Sequence, residues 1–349
     1  MADRAQSSQP AAQAAFARRP GVSYAQTAQG QDLPIIDVSH PAFALADDAG
    51  AIESLRAQFR RQDRRSRRMP RFLLQYFMRS AVKRSALVRG MLVQGAAVLP
   101  GMSTYVIKLG ADNLVPPFDT RMDRRFAAAP AIHSLRIRLQ QTAKLLVRGL
   151  EPELAGRPGV ALHLINIGGG SAIDSLNALL LLRRSSAQLL QRKVLIHVLD
   201  PDTHGPLFAG RALASLSAGG APLNAVDATL VHSTYDWNSP EPLAQLVRTL
   251  AAEGALIAAS SEGALFEYAS DAAVIANLRA LHAAGHGARV VAGSVTRGDD
   301  ITRQTLQFSP FKLIPRGATA FGELIRGTGF RIAQVEQALM SDQVLLRPD

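Results

Sequence analysis

The segment LHLINIGGGSAIDSLNALLLL, residues 162–182, joins an apolar run to a helix-like run through Gly168, Gly169 and Gly170. Glycines at such a junction let backbone approach a ligand with no Cβ between them, and the free N–H groups of a helix start point at whatever sits there. Three familiar uses of the pattern fail on particular residues. A P-loop closes on Gly-Lys-Ser/Thr, whereas Gly170 is followed by Ser171-Ala172, so no lysine serves a nucleotide's outer phosphates. A dinucleotide turn needs a third glycine where Ile173 stands and an acid at a set spacing beyond it, and both are missing. The nucleophile elbow Gly-x-Ser-x-Gly also breaks at Ile173.

Other polar groups follow apolar runs, at strand ends where open parallel sheets bind ligands. VLIHVLDPD ends in Asp200-Pro201-Asp202, and a later run ends in His232-Ser233-Thr234-Tyr235-Asp236-Trp237, which includes the single tryptophan. His232 or Tyr235 is a candidate base or substrate clamp; the alternative is a hydrogen-bonded turn before a helix near Pro240. Ser260-Ser261-Glu262 and Glu267-Tyr268 repeat the arrangement. Asp200, Asp202 and His204 form the one tight group of metal-ligand types, but Pro201 forces a turn there and no metal is expected. With no cysteine in the chain, disulfides, thiolate sites and cysteine nucleophiles are excluded.

The net charge of +11 is concentrated. Twelve basic residues and the single acid Asp63 lie between Arg56 and Arg89, which leaves the rest of the chain neutral. A nucleic-acid enzyme would spread basic residues around its cleft as well, so nucleic acid is not the expected substrate. The segment reads as a solvated helix face, or as a surface for phosphate, anionic lipid or an acidic partner. No apolar run is long enough to span a membrane, and Arg18-Arg19 precede none, so a cytoplasmic protein without a signal is expected.

Residues 1–32 are poor in large apolar groups and predict a flexible tail. Residues 33–139 predict a mainly helical lid or oligomerisation region, a candidate homodimer surface. Within it Asp48 to Leu99 has helical spacing, Thr104-Tyr105-Val106-Ile107 suggests a strand, Ala111 to Phe126 a loop, and Ile132 to Leu150 a helix ending before Glu151-Pro152. From residue 140 onward strands alternate with helices, the pattern of a parallel sheet with crossover helices. Strands are expected at Val160 to Ile167, Val194 to Leu199, Ala228 to Val231, Ala255 to Ala259 and Arg289 to Val295, with a closing antiparallel hairpin.

On these residues the chain resembles the class I S-adenosylmethionine-dependent methyltransferases. Asn166-Ile167-Gly168-Gly169-Gly170 matches the family's first strand and glycine turn, with Asn166 where an acid is usual. Asp200 matches the acid closing the second strand, and Asp227 followed by apolar residues matches the fourth strand. LVRTLAAEGALIAAS matches the approach to the fifth, and Gly329-Phe330 the start of the last hairpin. The third strand then has only Pro222 to Ala225 available.

The resemblance implies an α/β fold, a Rossmann-like seven-stranded methyltransferase sheet with a helical N-terminal region, and an S-adenosylmethionine-binding domain over residues 140–349. It implies Asn166, Gly168, Gly169, Gly170, Asp200, Pro201 and Ser233 as cofactor contacts, His232 and Tyr235 as catalytic candidates, and Tyr105, Trp237, Glu262 and Tyr268 as substrate contacts. Tyr105 to Asp112 is the part expected over the cofactor, with Phe118 and Phe126 completing an apolar lid. The expected activity is methyl transfer to a small molecule. The alternatives are a nicotinamide-dependent oxidoreductase and a non-catalytic nucleoside-binding regulator whose Arg56 to Arg89 segment binds RNA or an acidic partner.

Overall fold

In a computed structural model of the chain, residues 17–67, 82–92, 101–306 and 311–349 are described. Parts of the expected Asp48 to Leu99 helical stretch therefore lie outside the described residues. Within it the chain forms α1 (Ala49–Arg67) and α2 (Ala86–Leu92). Among the described residues no helix is long and apolar enough to cross a membrane.

Folded structure begins inside the expected tail, where β1 (Tyr24–Gln26) and β2 (Asp32–Pro34) pair antiparallel. The segment around Tyr105 corrects the strand expectation: it is α3 (Gly101–Lys108). Its β-branched residues favour a strand locally, but Tyr105, Val106 and Leu109 fall on a helical stripe that the core buries, and packing overrides propensity. The Tyr105 hydroxyl donates to Pro34 O at 2.6 Å and accepts from Ile36 N at 3.1 Å, fixing α3 to the chain that leaves β2.

The expected loop at 111–126 contains α4 (Arg121–Ala127). Thr120 and Asp123 close a capping box at its start, a T-x-x-D signal legible in the sequence. The next helix, α5 (Pro130–Ala155), outlasts its expected end and runs through Pro152. One amide is lost there, but Leu154 is fully buried and Arg192 donates to its carbonyl at 3.0 Å, so the last turn is held from outside. The boundary expected between 139 and 140 falls within this helix.

Then come β3 (Leu162–Ile167), α6 (Ile173–Ser185), β4 (Val194–Leu199), α7 (His204–Ser217), β5 (Ala228–Ser233), α8 (Glu241–Ala252) and β6 (Leu256–Ser261). The chain continues through α9 (Leu265–Tyr268), α10 (Asp271–His282), β7 (Val290–Thr296), α11 (Asp300–Leu306) and α12 (Gly317–Leu324), and closes with β8 (Phe330–Gln337) and β9 (Ser341–Pro348).

The main sheet has seven strands in the order β5-β4-β3-β6-β7-β9-β8, all parallel except β9, which runs antiparallel to both its neighbours, β7 and the edge strand β8. This is the seven-stranded sheet with a helical N-terminal region that the resemblance implies. The strand numbering changes, however. Residues 222–225 form no strand, and β5, expected to be the fourth, is the third and lies at the edge beside β4. β6 therefore takes the fourth place, next to β3.

One face of the sheet, carrying Leu164, Ile196 and Val198, packs on α5, α6 and α7. The other, carrying Ile165, Ile167, Leu199 and Ile257, packs on α8 and α10. On the latter face His163 and His197 stack with ring centroids 5.2 Å apart and share a nitrogen–nitrogen hydrogen bond of 2.9 Å. Burial, with the neighbouring charge of Lys193, lowers the pKa of His163. Burial, with the charge of His163, pushes His197 down to about 4. An unfolded histidine titrates near 6.5, so between about pH 6.5 and 4 the unfolded chain binds more protons than the folded one. Stability from this pair is therefore complete above pH ~6.5 and is lost as pH falls through that window. Urea midpoints should decline from pH 7.5 to 5, and His197→Gln should flatten the decline; equal slopes in the two proteins would remove the pair as its cause.

Candidate functional site

A cavity of about 210 Å³ opens at the carboxyl ends of β3, β4 and β6. A single water needs only ~10–15 Å³ by a comparable measure, so this space has room for a small molecule. Its floor is Gly168, Gly169 and Ser171, one wall is Asp200-Pro201-Asp202, and another is Glu262-Gly263-Ala264. Trp237 closes one side, and Thr104, Tyr105 and Lys108 of α3 cover the cavity.

The glycine turn is shaped from below. Gly168 has φ +65°, and a Cβ there would lie 2.7 Å from Ala264 Cβ and 3.1 Å from the Trp237 ring. A Cβ on Gly169 would lie 1.8 Å from Asn166 Oδ1, so the Asn166 side chain fills the space beneath the turn. Asn166 is fully buried and does not line the cavity. It donates to Asp174 Oδ1 at 2.6 Å and to Ser260 Oγ at 3.2 Å. Burial, then the charge of Glu262, raises the pKa of Asp174. Asn166 Oδ1 and Asp174 Oδ2 have no hydrogen-bond partner among the described residues. Gly170 is also buried, packed against Gly205 at the start of α7.

Asp200 spans the turn and the next helix. Its Oδ2 accepts from Gly170 N and its Oδ1 from Asp202 N, both at 2.8 Å. Burial raises its pKa, against the pull of those two N–H groups. Asp202 in turn accepts from His204 N and Gly205 N at the start of α7.

Four buried charges hold the opposite wall. Glu262 accepts from Lys108 Nζ through Oε2 and from Arg138 Nε, at 2.5 Å, through Oε1. Arg138 Nη1 also donates to Glu267 at 2.9 Å. No side chain in the group is more than 8% exposed. Burial opposes ionisation of Glu262, but the charges of Arg138 and Lys108 outweigh it and hold the carboxyl below its ordinary range. Burial lowers the pKa of the Lys108 amine and raises that of Glu267, each only partly countered by its partner. Among the described residues no group of three or more His, Cys, Asp or Glu side chains is placed to hold a metal.

Of the residues singled out in the sequence, Gly168, Gly169, Asp200, Pro201, Tyr105, Trp237 and Glu262 come together around the cavity. Tyr105 offers it the ring, since its hydroxyl is engaged with Pro34 and Ile36. Asn166, Gly170, Ser233, Tyr268, His232 and Tyr235 are not on its wall. His232 sits on the edge strand β5, facing α7, with Nε2 2.9 Å from Asp200 O. Ser233 is exposed at the end of that strand, and its carbonyl accepts from Asp200 N.

Tyr235 is buried, and its hydroxyl donates to Asn277 Oδ1 at 2.5 Å. Burial raises its pKa. Asn277 donates to Trp237 O at 2.7 Å, so Tyr235 acts on the cavity by holding the tryptophan. Phe118 and Phe126, expected in the lid, lie outside the cavity, as the residues lining it show. Sequence reasoning missed Lys108, Arg138 and Thr104. The lone charge of Lys108 in the apolar TYVIKLG is the signal that could have found one of them.

No protein-family model and no curated protein sequence matches the chain. Among solved structures, a protein from Bordetella parapertussis described as a possible exported protein is similar, with TM-score 0.54 and 17% identity over 88% of this chain and 99% of its own. An O-methyltransferase from neocarzinostatin biosynthesis, solved with S-adenosyl-L-homocysteine, aligns at TM-score 0.35 and 16% identity over 66% of this chain and 62% of its own. A Burkholderia thailandensis 1,6-didemethyltoxoflavin-N1-methyltransferase aligns at TM-score 0.36 and 14% identity over 60% of this chain and 78% of its own. At 17% identity the likeness to the Bordetella protein is one of fold.

The charged wall makes a stability prediction. Arg138→Met leaves Glu262 and Glu267 buried without their shared partner, a change that typically costs about 3–5 kcal/mol. The exposed pair Arg148–Glu336 should contribute no more than ~1 kcal/mol. Urea unfolding of Arg138→Met beside Arg148→Met measures the difference, and equal stabilities would show that the buried chain is not a structural tie.

Proposed function

We propose that this protein is an S-adenosylmethionine-dependent methyltransferase acting on a small molecule, the resemblance read in its sequence. The observation that carries the reading is the cavity between the Gly168–Gly169 turn and Asp200, at the carboxyl ends of β3 and β4. Its donor set fits the cofactor. Asp200 keeps free lone pairs beside its two backbone bonds, suited to ribose hydroxyls. The rings of Tyr105 and Trp237 with Ala264 give flat apolar walls, and Lys108 beside Glu262 pairs a cation with an anion, suited to an amino-acid end. Gly168 lets the turn lie against Trp237 and Ala264, where a Cβ would clash.

When bound, the cofactor supplies an activated methyl group. The protein's share is then to bind, orient and exclude water, because approach in line accounts for most of such a rate. Trp237 and Tyr105 would hold a planar or partly apolar acceptor. His232 and Tyr235, the catalytic candidates, do not face the cavity, so neither is placed to take a proton from an acceptor there. The reading keeps the cytoplasmic location expected from the sequence.

Calorimetry of the full chain with S-adenosylmethionine, S-adenosylhomocysteine and NAD tests the proposal. The first two should bind and NAD should not. Charge-assisted hydrogen bonds are worth ~1.5–3 kcal/mol, so Asp200→Ala should weaken cofactor binding about ten-fold or more. Binding of NAD alone would favour the oxidoreductase reading, and affinity unchanged in Asp200→Ala would remove the ribose assignment.

A further inference from the structure

Beneath the cavity floor, the first turn of α6 carries an acid that makes no ion pair among the described residues. Asp174 is 1% exposed, and Asn166 beside it is fully buried. Asn166 Nδ2 reaches Asp174 Oδ1 at 2.6 Å, Ser260 Oγ at 3.2 Å and Ser175 Oγ at 3.4 Å, which uses the hydrogens of the amide. Asn166 Oδ1 and Asp174 Oδ2 are left with no partner among the described residues. An ionised Asp174 can only accept, as Asn166 Oδ1 can. The space would then hold two buried acceptors with no donor, each costly away from water.

Counting charges points the same way. The charged groups facing Asp174 are Glu262, after β6, and Lys108 of α3, which belong to the buried chain with Arg138 and Glu267. With Asp174 included, three acids share two cations: Glu262 touches Lys108 and Arg138, Glu267 touches Arg138, and Asp174 touches neither. Burial and the charge of Glu262 favour its neutral form, against the weaker pull of the Ser260 hydroxyl, the Ser175 N–H and Lys108. A first-turn position favours an anion through the free N–H groups of the helix. That effect is small beside the cost of burying a carboxylate without a cation.

We propose that Asp174 holds its proton in the folded protein and, as a neutral acid paired with the Asn166 amide, positions the glycine turn that floors the cavity. One proton answers both counts. Oδ2 becomes a donor, with Asn166 Oδ1 as an acceptor on the side chain it already touches, and the acids and cations of the buried group balance. The turn depends on that amide. A Cβ on Gly169 would lie 1.8 Å from Asn166 Oδ1, so the backbone of the floor rests on the Asn166 side chain, and whatever holds the amide holds the floor. Asp174 itself does not line the cavity; it is a positioning residue that acts on a ligand through Asn166 and Gly169.

A neutral acid and a carboxylate differ in what asparagine can replace. Asparagine offers an N–H where the acid offers an O–H, but it cannot supply an anion's charge. An unfolded aspartate releases its proton near pH 3.8, whereas the folded Asp174 keeps it, so above that pH the folded chain binds more protons than the unfolded one. Stability from Asp174 is therefore complete below about pH 4 and is lost as pH rises toward the folded value. Asparagine at this position has no such loss.

The test uses the full chain with Asp174→Asn and Asp174→Ala. Infrared difference spectra of wild type against Asp174→Asn at neutral pH should show the C=O stretch of a protonated carboxyl group in the wild type. The urea midpoint of Asp174→Asn relative to wild type should rise between about pH 5 and 7.5. Emission of Trp237, the single tryptophan, which lies against Gly168, should match the wild type in Asp174→Asn and shift in Asp174→Ala. Affinity for S-adenosylhomocysteine should stay within about three-fold in Asp174→Asn and fall about ten-fold or more in Asp174→Ala. Only this last measurement rests on the proposed function: if wild type binds no S-adenosylhomocysteine that reading fails, and the other three still decide the proton and the positioning. An ionised Asp174 satisfied by buried water gives no protonated-acid band and a relative midpoint that is flat or falls with pH, and either result would overturn the proposal. Trp237 emission unchanged in Asp174→Ala would remove the positioning role.

Discussion

The architecture turns on the buried chain of charges Lys108–Glu262–Arg138–Glu267. Its members come from α3, from α5, from the turn after β6 and from α9, so the chain of charges joins the N-terminal helices to the segment that follows β6. Removing four charges from water costs far more than any one pair returns, so the arrangement is tolerable only when every partner is in place. The same condition fixes the backbone. Gly263 adopts φ +78°, and a Cβ there would lie 2.3 Å from Arg138 Nη2, so this turn is built to let the guanidinium lie against it. The helical N-terminal region is thereby locked to the sheet edge where the cavity opens.

Around that tie, neutral contacts complete the enclosure. Tyr105 joins α3 to the chain after β2, and Asn177 of α6 accepts from Val38 N at 2.8 Å and donates to Ile36 O at 2.9 Å. The cover over the cavity is thus stitched to the helix that follows the glycine turn. On the other side Tyr235, Asn277 and Trp237 form a second chain of hydrogen bonds. The crevice between them has a topological origin: β3 lies between β4 and β6, and the connections that leave β3 toward β4 and β6 toward β7 run in opposite directions, opening a gap at the strand ends.

Much of this was legible in the residues. Val194 to Leu199 is a strand as expected, and the apolar run before Gly168 is the buried centre of the sheet, because burial on both faces demands continuous apolar sequence. Asp200 stands at a strand end, where its role was sought. The Tyr105 segment, expected over the cofactor and as a strand, lines the cavity as a helix, since a short run of β-branched and aromatic residues fits a strand or a buried helix equally well.

By itself, the sequence determined the alternation of strands and helices, the glycine turn and the acids at strand ends, because these depend on local periodicity and on the conformations glycine alone adopts freely. Only the tertiary structure decided which polar groups share a space. It put His232 on an edge strand facing α7, folded Asn166 beneath the turn, and used Tyr235 to hold Trp237. It also brought Lys108 and Arg138 to Glu262 across separations of 154 and 124 residues. A side chain's chemistry follows from its type, but its partners follow from strand order and from which face of a helix is buried. Both are set by packing among elements distant in the chain, which no local pattern encodes.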